Sequence, residues 1–108
     1  MKQDLYIRII DEIQYKSIVV CCMISPWMFS FPNRIVPLYQ EVKKYYHGNS
    51  KLLMHLFFND ITGSYEMQVT TESTEKSYPH INSLHVVDWE SVNYDFVASI
   101  FGDPDGGK

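Results

Sequence analysis

The sequence predicts a small α/β fold, a three-layer sandwich in which helices pack on a mixed four-stranded sheet. Three observations predict it. The apolar runs at Ser17–Ile24 and Lys51–Asn59 have the length of buried strands, and the first is rich in β-branched residues. Ser64–Thr71 alternates in period two, as a strand with one wet face does. Arg34–Tyr46 and Trp89–Phe101 carry their apolar residues at helical spacing instead. At 108 residues the chain has room for one domain.

Taken in order, Gln3–Gln14 fits a helical stripe through Leu5, Ile9 and Ile13 and also a strand face through Leu5, Ile7 and Ile9. Its length and lack of Gly or Pro favour the helix. Ser17–Ile24 follows as a strand buried on both faces. Ser25–Asn33 is a loop bounded by Pro26 and Pro32 and crowded with large side chains. In Arg34–Tyr46, Asn33 is the expected N-cap and Pro37 falls near the first turn, where proline is tolerated. His47–Ser50 closes that helix around a glycine. Lys51–Asn59 is the second strand, Asp60–Gly63 a turn, and Ser64–Thr71 the third strand. Ile81–Val87 supplies a fourth, and Asp88 and Glu90 open the last helix, where negative charge suits the dipole. The strand–helix–strand unit over residues 17–59 is expected to form a right-handed parallel crossover. Residues 1–101 make the domain, and Gly102–Lys108 reads as a disordered tail.

Charge is distributed unevenly. The net charge is −4, yet residues 1–54 hold seven Lys/Arg against four Asp/Glu, whereas residues 55–108 hold two against nine. The basic residues are scattered, so the Lys/Arg stripe that nucleic-acid binding needs is not found. No apolar run approaches the roughly 20 residues of a membrane span, and no secretory signal pattern is visible. Cys21 and Cys22 are neighbours, a spacing that strains any bridge, and read as free thiols of a reducing, cytoplasmic setting. His47, His55, His80 and His85 lack metal-ligand spacing, and the Asp103–Gly106 stretch ends before a calcium loop could be completed. No nucleophile elbow, glycine-rich phosphate loop or zinc-protease motif occurs. Neither a catalytic residue, a metal nor a cofactor is therefore predicted.

Ser17–Phe31, followed by Ile35-Val36-Pro37-Leu38 and an amphipathic helix, resembles the thioredoxin-like superfamily. In that family an apolar strand runs into a corner tryptophan and a proline-bent helix. Trp27 matches the tryptophan, Pro37 the helix proline, and Pro79 stands where the family has a cis-proline. The positions of the redox cysteines fall on Met28 and Phe31, which have no ionisable sulfur. The resemblance thus implies a redox-inactive scaffold and not an oxidoreductase.

The function these residues favour is protein binding. Trp27, Met28, Phe29 and Phe31, with Pro32, form an aromatic and methionine loop of the composition that concentrates interface energy. It is expected to face a protein partner or a second copy of the chain, with Glu72, Glu75, Asp88 and Glu90 steering approach. The alternative is a small acidic inhibitor, of toxin-immunity or phage anti-defence type, that blocks a basic or nucleic-acid-binding surface. Glu66 and Asp95 would join the same four carboxylates in that role.

Overall fold

The computed structural model describes residues 4–46, 51–72 and 86–104. Along the chain come β1 (Leu5–Ile9), α1 (Glu12–Met23), α2 (Tyr39–Tyr45), β2 (Lys51–Asn59), β3 (Ser64–Glu72), β4 (Val86–Asp88) and α3 (Tyr94–Phe101). The four strands form one mixed sheet in the order β3-β2-β1-β4. Strand β2 runs antiparallel to both β1 and β3, and β1 pairs in parallel with β4. The expected α/β sandwich on a mixed four-stranded sheet is what the chain forms, but not with the three layers expected: all three described helices pack on one face of the sheet.

The first two elements correct the sequence reading. Leu5–Ile9 is a strand, not a helix: Leu5, Ile7 and Ile9 point into the core, and Tyr6 and Arg8 point to the other face. Ser17–Met23, read as a strand, belongs to α1. The helix is set by its start. Asp11 accepts from Gln14 N at 2.7 Å, and Gln14 Oε1 accepts from Ile10 N at 3.0 Å, a variant of the capping box in which the return bond reaches the residue before the N-cap. Tyr15, Ile18, Val19 and Cys22 then fall on one buried face, and packing overrides the weak helix propensity of the β-branched run. Residues 17–24 therefore form no strand beside β2, and the only parallel pairing among the described strands is β1 with β4.

Other boundaries move for local reasons. Pro37 disfavours helical backbone at Val36, so α2 begins at Tyr39 with Leu38 as its N-cap, and Asn33 caps nothing there. The last helix is divided: Trp89–Ser91 is a single 3-10 turn, and Asn93 caps α3 by accepting from Phe96 N at 2.9 Å. Asp88 instead lies 3.3 Å from Arg8 across the β1–β4 pair. Gly102 is the C-cap of α3, with φ +85, and not the start of a free tail. The expectations for His47–Ser50, Pro79, residues 81–85 and residues 105–108 lie outside the described residues.

All three helices place buried side chains in one cluster with Ile7, Met54, Leu56 and Met67. Tyr6, Leu53 and Val86 form a second, smaller cluster on the opposite face of the sheet. Each fully buried aliphatic side chain contributes about 1.5–3 kcal/mol by leaving water, so this interior holds the frame on which the surface features sit.

Candidate functional site: an apolar cleft beside the aromatic loop

The aromatic loop leaves the C-terminus of α1 through a tight turn. Ser25 Oγ and Phe29 N both donate to the carbonyl of Cys22, and Met28 N donates to Ser25 O. Beyond the turn the chain lies along the outer edge of β3. Ser30 N donates to Tyr65 O at 3.2 Å, and Met67 N donates to Ser30 O at 2.9 Å. Side chains through the turn and onto the sheet edge alternate: Trp27, Phe29 and Phe31 are buried at 6%, 2% and 8% exposure, whereas Met28 is 71% exposed.

This corrects the expectation that the whole loop faces a partner. Phe29 packs edge-on against Tyr65 and Phe101, both at 5.5 Å between ring centroids. Trp27 stacks obliquely on Tyr94 at 5.1 Å, and its indole N–H donates to Gly102 O at 3.0 Å. Trp27 and Phe29 close the core towards α3, and Phe31 is buried beside the groove lined by Val42 and Tyr46 of the α2 region. Of the five residues expected to contact a partner, only Met28 and Pro32 remain on the surface, and Pro32 borders a different groove, shared with Tyr45, Tyr46 and Gln68.

The steering carboxylates do not converge either. Glu72 ends β3 on one edge of the sheet, and Asp88 and Glu90 lie at the other edge, in β4 and the turn after it. Three strand spacings of about 4.8 Å separate those edges. Asp88 is held by Arg8, and Glu66 is buried in the sheet, accepting from Asn59 Nδ2 and Thr62 Oγ1. Glu75 lies outside the described residues. No single acidic patch forms from Glu72, Asp88 and Glu90.

What the sequence reading missed is a hollow beside the loop. The C-terminal turns of α1, the loop, the 3-10 turn and the start of α3 leave an open cleft of ≈ 350 Å³. Trp27, Trp89, Tyr94, Val92 and Val97 are among the residues of its wall, and none of its described lining residues carries a charge at neutral pH. This is the size and character of a site for an apolar group. Both tryptophans of the chain line it.

The two cysteines part company here, because neighbours on a helix point about 100° apart. Cys22 is buried, and burial pushes its thiol up to about 12, so it stays protonated and inert. Cys21 is exposed at the cleft wall, and both are free thiols. Among the histidines, His55 is fixed on the sheet: its Nε2 lies 2.9 Å from the Asp4 carboxylate, and its ring is stacked between Tyr6 and Phe57. Among the described residues no group of three or more His, Cys, Asp and Glu could hold a metal ion. No described helix is long and apolar enough to cross a membrane. Comparison with protein-family models, with curated proteins and with solved structures finds no match to this chain.

Proposed function

We propose that this protein is a non-enzymatic binding module that takes a bulky apolar side chain of a protein partner into the Trp27–Tyr94 cleft. The carrying observation is the cleft itself: an open hollow walled by two tryptophans and a tyrosine, with no charged lining. Aromatic walls of this kind are where interface energy concentrates.

The backbone beside the cleft supports the same reading. Met28 has φ +54, in the left-handed region that costs a non-glycine residue about 1–2 kcal/mol. That conformation turns an apolar side chain outward between two cleft-lining neighbours, Trp27 and Phe29. Strain of this sort is characteristic of binding sites. Met28→Gly is therefore expected to raise folding stability by up to about 1 kcal/mol, read from urea midpoints, while weakening partner binding.

The direct test is selection from a random peptide display library. Binders are expected to share a Trp, Phe, Leu or Met anchor, to bind nearly independently of salt, and to lose at least about tenfold in affinity for Val92→Glu. Lys/Arg-rich binders whose affinity falls steeply with salt would instead favour the acidic-inhibitor reading.

A further inference from the structure

The segments that build the cleft carry charge of one sign. Apart from Leu56, its described lining comes from residues 17–33 and 86–104, which contain no Lys, Arg or His. Exposed carboxylates do occur there, each one residue away from the aromatic wall or its anchor. Glu90 follows Trp89, Asp95 follows Tyr94, and Asp103 follows Gly102, whose carbonyl accepts the Trp27 indole N–H at 3.0 Å. Consecutive Cα atoms are about 3.8 Å apart, so the field of these three groups reaches the cleft within about one Debye length. We infer that the cleft is an aromatic cage for a quaternary ammonium, and that the partner side chain it receives is a trimethylated lysine.

This rests on the cleft being a site for a partner's side chain, and adds the chemistry of that side chain. Trp27 and Tyr94 stand 5.1 Å apart with their planes inclined at 43°, and Trp89 lines the same hollow. Electron-rich ring faces attract a cation, most strongly at tryptophan. The helix ends agree with that sign. Helix α1 ends in the cleft wall with no basic residue in its last turn, so its partial negative charge is not offset. The positive end of α3 is offset by Asp95 in its first turn.

The uncharged lining selects among cations. A primary ammonium or a guanidinium leaves water with N–H groups that need acceptors, and no described lining residue offers a carboxylate. A quaternary ammonium has no N–H. Its charge is spread under methyl groups, which keep the apolar contact that the walls supply. A phosphocholine headgroup holds the same cation beside a phosphate, which the three carboxylates repel. A lysine in a basic segment brings only positive neighbours, which they attract.

Titrations of the full chain, followed through the two tryptophan indole N–H signals, test this. The probes are N-acetyl-trimethyl-lysinamide and its neutral isostere, in which carbon replaces the quaternary nitrogen. The cation is expected to bind at least about fivefold tighter than the isostere. Raising the ionic strength from about 10 mM to about 0.5 M should weaken the cation about threefold and leave the isostere unchanged. Tyr94→Leu keeps an apolar wall but removes a ring, and is expected to reduce the preference for the cation by about half or more. Tyr94 is 52% exposed, so the circular dichroism of that variant should match the wild type. An isostere that binds as tightly as the cation overturns the cage and leaves the cleft reading standing. So does a preference undiminished by Tyr94→Leu, or unmethylated N-acetyl-lysinamide or phosphocholine binding as tightly as the trimethylated probe. If neither the cation nor the isostere moves either indole signal up to about 10 mM, the cleft reading fails together with the cage.

Discussion

Phe29→Ala is expected to cost about 3–5 kcal/mol of folding stability, a large share of what a domain of this size possesses. The ring is 2% exposed and meets Tyr65 and Phe101 edge-on, and Tyr65 in turn meets Phe58 at 5.0 Å. Removing it opens a cavity where the loop, β3 and α3 join, and the backbone bonds of Ser30 to β3 limit how far the loop can collapse into it. The adjacent Met28→Ala should change stability by less than about 1 kcal/mol, because the side chain buries little. Urea unfolding of the two variants measures the contrast. Similar small effects at both positions would mean that the rings do not close the core.

Stability is expected to fall steeply in alkali. Burial pushes Tyr15 up to about 12, and burial with the nearby Asp4 carboxylate does the same to Tyr6. Cys22, buried and next to Cys21, also rises to about 12. Tyr15 has a further reason to keep its proton, since its hydroxyl donates to Pro37 O at 2.7 Å. In the unfolded chain these groups ionise near their ordinary values, Cys22 from 9.0 and the tyrosines from 10.0. The native state therefore holds more protons above pH 9, and the stabilisation, complete below that value, is lost as pH rises towards about 12. Each group contributes a slope of up to ~1.4 kcal/mol per pH unit across its window. Urea midpoints measured under reducing conditions at about pH 8, 10 and 11 give the slope. Tyr15→Phe should lower stability at the first pH, through loss of the Pro37 bond, and flatten the decline thereafter. An unchanged decline would remove Tyr15 from the account.

The residues differ in how openly they announce their places. Lys51–Asn59 and Ser64–Thr71 were legible because local pattern and tertiary role agree there: two long strands joined by a turn in which Gly63 takes φ +70. Residues 5–23 were misread because the β-branched run over Ile18–Val20 looks like a strand, and propensity yields to packing. The contrary signal was present in Asp11-Glu12-Ile13-Gln14, where Asp11 caps Gln14 N and the Gln14 side chain reaches back to Ile10 N. Trp27-Met28-Phe29-Ser30-Phe31 carried a signal of the same kind. Large rings at every second position mark a segment with one buried side, although only Ser30 bonds to β3 and the chain still turns at Met28, where φ is +54. The cleft was not legible at all, because α1, the loop, the 3-10 turn and α3 bring together side chains more than 70 positions apart.

The central claim is that the cleft receives an apolar group, and the chain's two tryptophans, both in its wall, make the claim directly observable. A two-dimensional 15N–1H spectrum of the labelled protein, titrated with N-acetyl-leucinamide, resolves two indole N–H signals. The account predicts that both signals shift in a saturable way, together with the amides of Val92 and Tyr94. Shifts confined to residues of the Pro32–Tyr45 groove, or none up to about 10 mM probe, would contradict it.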